Sequence, residues 1–519
     1  MSMINVSNLT FNYDNHPDNI FENASFTIDT DWKLGFIGRN GKGKTTFLNL
    51  LMGKYEYSGK ITKDVYFDYF PFKVENPYLT SYEIAENNNP DYQQWELERE
   101  ISLMDMDLDI LSRPFYTLSK GEQTKVLLAT MFLKENNFLL IDEPTNHLDA
   151  SARESVAKYL KRKRGYILVS HDRKFLDGCV DHILSINRST IDIQQGNFST
   201  WWENKTRQDN FELAENEKLR KDIGRLEASA RQSSMWSDRV EASKYHIRGD
   251  LLQDKGYIGH KAAKMAKRAK SAQMRKEKAI EEKSRLLKDI ETMESLRVDV
   301  LDDRKGRLID AVNLSVTYDD QTILENVTFS LDVGDRLQLK GKNGCGKSSI
   351  IKLLLGQDIQ FGGELYKPEG LKFSYVSQDT SFLKGNLRDF AQENHIDESL
   401  FKSILKKLDF DENQFDKAME YYSEGQKKKV LLAKSLCEQA HIYIWDEPLN
   451  YIDIFSRMQI EELIQVYQQT MIFVEHDETF AETIATKVIE LERKKQVVKK
   501  KTNDNELIST KEENDILNI

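Results

Sequence analysis

Apolar and polar positions change period several times along this chain, and each change marks an element. Ile4, Val6 and Leu9 alternate with Asn and Ser, the spacing of a half-buried strand, and Ala24 to Ile28 reads as a second edge run. Leu34-Gly35-Phe36-Ile37 is continuously apolar, as a strand covered on both faces should be, and a helix is expected from Thr46 to Met52. The charged, Asn-rich stretch at 83–112 reads as a small helical subdomain. A helix over 122–132 then leads into the apolar strand Phe138 to Ile141, and Tyr166 to Val169 is another such run. Strands alternating with helices predict an α/β domain on a parallel sheet. The same plan returns from about residue 306, with Ile442 to Trp445 and Met471 to Val474 as its buried strands.

Between the halves the pattern is different. Residues 208–247 and 261–296 are rich in Ala, Glu, Lys, Arg, Leu and Met and lack Pro, a helical composition. Gly249, Gly256 and Gly259 cluster where a reversal would fall. An antiparallel helical hairpin follows, with arms of roughly 50 Å. The expected domains are therefore 1–207, a linker at 208–300, 301–500, and a polar, lysine-rich tail at 501–519 expected to be disordered.

Chemistry enters through four motifs that occur twice in one order. The first half carries Gly38-Arg39-Asn40-Gly41-Lys42-Gly43-Lys44-Thr45, Leu118-Ser119-Lys120-Gly121-Glu122-Gln123, Ile141-Asp142-Glu143-Pro144 and Ser170-His171-Asp172. The second carries Gly341 to Ser348, Tyr422-Ser423-Glu424-Gly425-Gln426, Trp445-Asp446-Glu447-Pro448 and Glu475-His476-Asp477. Matching positions are offset by 303 to 305 residues, so the chain is an internal duplication. Backbone amides from Asn40 to Lys44, at a helix start, suit triphosphate, and Gly38, Gly41 and Gly43 permit its close approach. Asn343, Gly341, Gly344 and Gly346 match them. Lys44 and Lys347 supply charge to the β- and γ-phosphates, with Thr46 and Ser349 one position beyond the hydroxyls of Thr45 and Ser348. Those two hydroxyls, with Asp142, Asp446 and Gln378, are the expected Mg²⁺ ligands. Glu143 and Glu447 stand where a carboxylate would polarise the attacking water, and His171 and His476 are expected to be catalytic. Tyr13 and Tyr318 either stack on adenine or pack in the core. The fold class is thus α/β: two phosphate-loop ATPase domains in tandem, joined by a long α-helical hairpin, using ATP and Mg²⁺.

Composition sharpens this picture. The 519 residues carry 39% hydrophobic and 31% charged side chains, and their longest apolar runs have strand length, far below the ~20 residues of a membrane span. No apolar stretch follows Met1, three cysteines are scattered, and a cytoplasmic setting fits both. The net charge is −11, yet residues 213–285 hold 19 Lys and Arg against 11 Asp and Glu. That segment is +8 and the remainder −19, which presents one positive element to a polyanion. No acid occurs from Lys255 to Lys276. Lys261, Lys264, Lys267, Arg268 and Lys270 are expected phosphate contacts. Leu251, Leu252 and Tyr257 form an apolar tip that either closes the hairpin or makes shape contacts.

The motifs resemble those of the ATP-binding cassette superfamily. That resemblance implies that Ser423 and Gly425 complete the site on Lys44, and Ser119 and Gly121 the site on Lys347, within a monomer. Two fused cassettes, Glu-Pro-Thr-Asn-His-Leu-Asp at Glu143 to Asp149 and a basic linker look like the ABC-F family. Its members bind the 70S ribosome at the tRNA exit site. Their linkers reach past P-site tRNA and 23S rRNA toward the peptidyl-transferase centre. Gly35 to Gly41 and Tyr69-Phe70-Pro71-Phe72 are similar to the Lsa-like antibiotic-resistance branch, which protects against lincosamides, pleuromutilins and streptogramins A. A housekeeping translation factor is the alternative. A transporter subunit would leave the basic hairpin unexplained, and a DNA-repair cassette ATPase would need zinc-binding cysteine sets. Neither a membrane nor a DNA partner is expected. Phe72 stands where the family carries a glutamine, matched by Gln378 in the second half. Leu449, Tyr451 and Glu475 replace Thr145, His147 and Ser170. Phenylalanine can neither ligate a metal nor hold water, so the Lys44 site is the one in doubt.

Overall fold

The computed structural model describes residues 2–13, 19–134, 137–146, 148–187, 190–243, 274–275, 301, 306–318, 321–342 and 344–492. The hairpin tip, the basic run up to residue 273, Asn343 and the tail beyond 492 lie outside the described residues.

Each half is built on two sheets. In the first, Phe21–Asp29, Met3–Phe11 and Ser58–Thr62 form an antiparallel sheet in that order. Beside it runs a six-stranded sheet: Tyr66–Phe70, Asn137–Asp142, Tyr166–Val169, Lys33–Ile37, His182–Asn187 and Thr190–Gln195. All its pairs are parallel except the last. In the second half Gln321–Asp332, Arg307–Tyr318 and Gln360–Tyr366 form the antiparallel sheet. The parallel sheet there reads Phe373–Val376, Ile442–Asp446, Met471–Val474, Arg336–Lys340 and Lys487–Glu490.

The apolar runs sit where their composition demands. Leu34, Phe36 and Ile37 are buried in a central strand, covered on one face by Phe47 and Leu48 of the following helix and on the other by Leu176 and Ile183. A Cβ on Gly35 would lie 2.9 Å from Ile183 Cδ1 of the neighbouring strand and 3.3 Å from Leu176 Cδ2 of the helix above, so a larger residue there would crowd both. Register then fixes the chemistry. Phe36 and Asp142 both pair with Val169, and Asp446 pairs with Val474, so phosphate loop, acidic pair and histidine emerge side by side at the strands' carboxyl ends. That edge is where parallel α/β sheets bind ligands.

Helices Ser81–Asn88 and Gln94–Ser102, with short turns at Leu108–Ser112, make the predicted subdomain. One buried group anchors it. Glu100 accepts from Tyr159 Oη at 2.6 Å, from Arg99 at 3.0 Å and from Lys163. The final helix of this half spans Phe198–Ser243 and so extends about 70 Å. It starts as part of the cassette, with Phe198 and Trp201 buried in the first core, before its polar composition takes over. Asn197 caps that start by accepting from Thr200 N at 3.0 Å. Among the described residues no helix is long and apolar enough to cross a membrane.

The cassettes meet face to face. Arg173 Nη1 donates to Glu461 Oε2 at 3.0 Å, and Lys174 Nζ lies 2.7 Å from Glu478. Phe455 of the second half packs on Trp201 and Trp202 at the root of the long helix, under the Arg39 guanidinium.

Candidate active sites at the cassette interface

Each phosphate loop is set by a left-handed glycine before its helix: Gly43 at φ 92° and Gly346 at φ 107°. A Cβ on Gly43 would also meet Ile20 at 2.5 Å, so position 43 admits only glycine. Lys44 Nζ curls back to donate to the carbonyls of Gly38 at 2.7 Å and Arg39 at 3.1 Å. Lys347 does the same with Gly341 at 2.8 Å and Lys342 at 3.1 Å. Both ammoniums therefore lie inside the loop that would wrap a phosphate.

The acidic pairs follow at strand ends. Thr45 Oγ1 donates to Asp142 Oδ2 at 3.2 Å, and Ser348 likewise bonds Asp446. Hydroxyl and carboxylate are hard oxygen donors beside a phosphate loop, a donor set that fits Mg²⁺ bridging to a nucleotide. Glu143 and Glu447 hold φ of 50° and 49°, sparsely populated for residues with a Cβ, and each is tied by its amide to the neighbouring strand. His171 Nε2 comes within 3.2 Å of Glu143 Oε1 and His476 Nε2 within 3.4 Å of Glu447 Oε1. Glu143 Oε1 and His476 Nε2 are nonetheless buried without a hydrogen-bond partner. Unsatisfied polar atoms at this place are what a γ-phosphate and its attacking water would pair with.

The two sites differ electrostatically. Burial, aided by the Asp142 carboxylate, pushes Glu143 up to about 8. Burial also works on Glu447, but His476, Lys347 and the amide of Asn450 outweigh it and hold that carboxyl below its ordinary value. Gln378 Nε2 and Asn450 Nδ2 each donate to Glu447 Oε2 at 2.8 Å, and Phe72, at Gln378's register in the first half, has nothing to donate. Gln378, an expected Mg²⁺ ligand, uses its amide nitrogen on the glutamate, and its carbonyl oxygen remains the atom that would ligate a metal. Burial, with Lys44 and Arg457 nearby, pushes His171 well below its usual range, so it is neutral.

Both sites are composite. A cavity of about 590 Å³ brings Lys347, Ser348, Gln378, Glu447 and His476 together with Lys120, Asn146 and Leu148 of the first cassette. Across from Lys44, Asn40 Nδ2 donates to Tyr451 O at 2.9 Å, and a Cβ on Gly425 would stand 3.6 Å from that amide. Ser119 and Ser423 each cap their helix by accepting from the backbone, from Glu122 N and Gln426 N at 3.3 Å. Each hydroxyl proton stays available to a phosphate oxygen. Tyr13 is part-exposed and bonds Thr46 Oγ1 at 2.9 Å, with Tyr55 edge-on to it. Tyr318 is exposed to the same degree.

Sequence reasoning missed several members. Asp453 is fully buried and acts on Lys44 and His171 from the other cassette. Asp149 is its repeat partner, and their shared place after each acidic pair was a usable signal. Arg153 donates to Asp172 at 2.9 Å and across the interface to His476 O at 3.0 Å. Glu475 accepts from the amides of Leu449 and His476, both at 2.8 Å, replacing the Thr145–Ser170 contact of the first half.

Residues 21–146 and 324–450 match the ABC transporter family, one match per half. The chain is 28% identical over 512 residues to ATP-binding protein Uup of Buchnera aphidicola subsp. Acyrthosiphon pisum, covering 94% of this chain and 80% of that one. It is 27% identical over 494 residues to ribosome protection protein VmlR of Bacillus subtilis, covering 93% and 85%. Among solved structures, an archaeal ribosome recycling factor, aABCE1, in complex with ribosomal stalk protein aP1, superposes with a TM-score of 0.60 at 17% identity, over 93% of this chain and 87% of that one. The protein thus carries two ATP-binding cassette domains in tandem. It is an ATP hydrolase, as the two matched domains and the paired sites agree.

Proposed function

We propose that this chain is an ABC-F ATPase that works on the ribosome, and that its cassettes close on two ATP molecules within one monomer. The observation that carries the reading is the composite site, in which residues of both halves line one cavity around Lys347. Closure is then available without a second chain. Lys44 and Lys347 hold the phosphates; Thr45 with Asp142, and Ser348 with Asp446, hold Mg²⁺, whose charge would offset that of the phosphates. Glu143 and Glu447 take the proton of the attacking water, and His171 and His476 orient it from their buried loops. Ser423 and Gly425, and Ser119 and Gly121, close the sites on Lys44 and Lys347.

Residues 208–300 are proposed as the linker that enters the tRNA exit site toward the peptidyl-transferase centre. The excess of positive charge there, the long helix leaving the first cassette and the likeness to a protein named for ribosome protection support this reading. Protection against lincosamides, pleuromutilins and streptogramins A is the proposed outcome, in the cytoplasm. A susceptibility panel on a sensitive host tests it. Expression should raise the inhibitory concentration of at least one of these classes, and Glu143→Gln with Glu447→Gln should remove the effect. A panel without any shift, from a chain that still binds ribosomes, would make it a housekeeping translation factor.

A further inference from the structure

One contact at the Lys44 site has no counterpart in the other half. Tyr69 Oη donates to Asp142 Oδ2 at 2.8 Å, the oxygen that also accepts from Thr45. Tyr69 is held for this by its strand, where it pairs with Leu140, two residues before Asp142. Lys54 stands over its ring, 5.5 Å from the centroid, a contact that helps hold the ring in place. Tyr375 has the matching register, opposite Ile444, yet its hydroxyl turns to Ser377. Asp446 is bonded by Ser348 instead. The second site has a glutamine three residues beyond this tyrosine; the first has Phe72, which offers neither donor nor acceptor.

We infer that Tyr69 is a positioning residue of the Lys44 site, fixing the Asp142 carboxylate in the orientation that receives Mg²⁺, a task the second site does not give to Tyr375. Both donors fall on Oδ2, so neither occupies Oδ1, which stays available as an acceptor for the metal or its water. A carboxylate fixed by a neutral donor keeps its charge and loses its freedom to rotate, which is how outer groups tune a metal site. The inference rests on reading Asp142 as the Mg²⁺ carboxylate.

The test uses the full chain with Lys347→Ala, so that only the Lys44 site takes up nucleotide. Fluorescent mant-ATP is titrated without metal and then against MgCl₂. Tyr69→Phe should raise the Mg²⁺ concentration for half-maximal effect about tenfold, the loss usual for an outer-sphere partner. Its metal-free mant-ATP affinity should stay within about twofold, since one neutral bond remote from the phosphates is removed. Tyr375→Phe, tested in a Lys44→Ala chain, should move the Mg²⁺ requirement less than about twofold, because no bond to Asp446 is lost. An unchanged Mg²⁺ requirement in Tyr69→Phe overturns the inference. So does an equal loss with and without metal, or a collapse of the unfolding temperature, because the hydroxyl would then only hold the loop. Asp142→Asn separates the two claims: if it too leaves the Mg²⁺ requirement unchanged, the reading of Asp142 itself fails.

Discussion

The opposite states of the two glutamates make the sites separable by pH. Glu143, pushed up to about 8 by burial and by Asp142, holds its proton at neutral pH, whereas Glu447 is held below its ordinary value and is ionised throughout. A base acts only when deprotonated, so the Lys44 site should gain activity as pH rises through 8, and the Lys347 site should not. For a group titrating at about 8, roughly a tenth is ionised at pH 7 and roughly nine tenths at pH 9, a gain of about tenfold. Glu447→Gln isolates the Lys44 site, and Glu143→Gln isolates the Lys347 site. Single-turnover hydrolysis of labelled ATP, with protein in excess, should then climb about tenfold from pH 7 to 9 in the first variant and change less than about twofold in the second. At pH 7 Glu447→Gln should remove the larger share of total turnover. A flat profile in Glu447→Gln, or equal slopes in both, would refute the assignment of a neutral Glu143 and the asymmetry built on it.

Other consequences follow from buried pairs and from charge. Burial pushes Glu100 up, but Lys163 and Tyr159 outweigh it and hold the carboxyl below its ordinary value. Its stabilisation is therefore complete above the unfolded carboxylate range and fades as pH falls through the lower folded value. Glu100→Gln should cost about 3 kcal/mol in urea unfolding at pH 7, with a smaller penalty at pH 3. Arg173→Ala leaves Glu461 buried and unpaired at the cassette interface, and should weaken cassette closure, read as slower single-turnover hydrolysis at both sites with folding of each half retained. Each of Lys261, Lys264 and Lys267 changed to Ala should flatten the salt dependence of ribosome binding by about one unit on a log–log plot.

Local chemistry was legible, and distance was not. The phosphate loops and acidic pairs stood out because each ends an apolar strand of unmistakable length, and the structure sets Phe138, Leu139, Leu140 and Ile141 in one. Glycine at 43 and 346 was likewise readable, because a phosphate loop needs the backbone freedom that φ of 92° and 107° then shows. The long helix starts at Phe198, ten residues before its charged composition begins, because Phe198 and Trp201 belong to the first core. Nothing local to Tyr69 showed that its hydroxyl meets Asp142, 73 positions away. Arg173 and Glu461 are 288 positions apart and lack counterparts in the repeat: Ala157 stands where Glu461 would be matched. Substitutions such as Glu475 for Ser170 were visible as differences, while their effect, two amides capped at 2.8 Å, needed the backbone.

The account's central claim is that ATP closes both cassettes of one chain and that the closed form holds the ribosome. The direct measurement is co-sedimentation of Glu143→Gln/Glu447→Gln with 70S ribosomes through a sucrose cushion. Replacing each carboxylate by an amide keeps its size and removes the base, so ATP should bind and persist. The account predicts near-stoichiometric pelleting with ribosomes in ATP, little in ADP, and one polypeptide per ribosome. Pelleting that is equal in ATP and ADP, or that needs two copies of the chain, would contradict it.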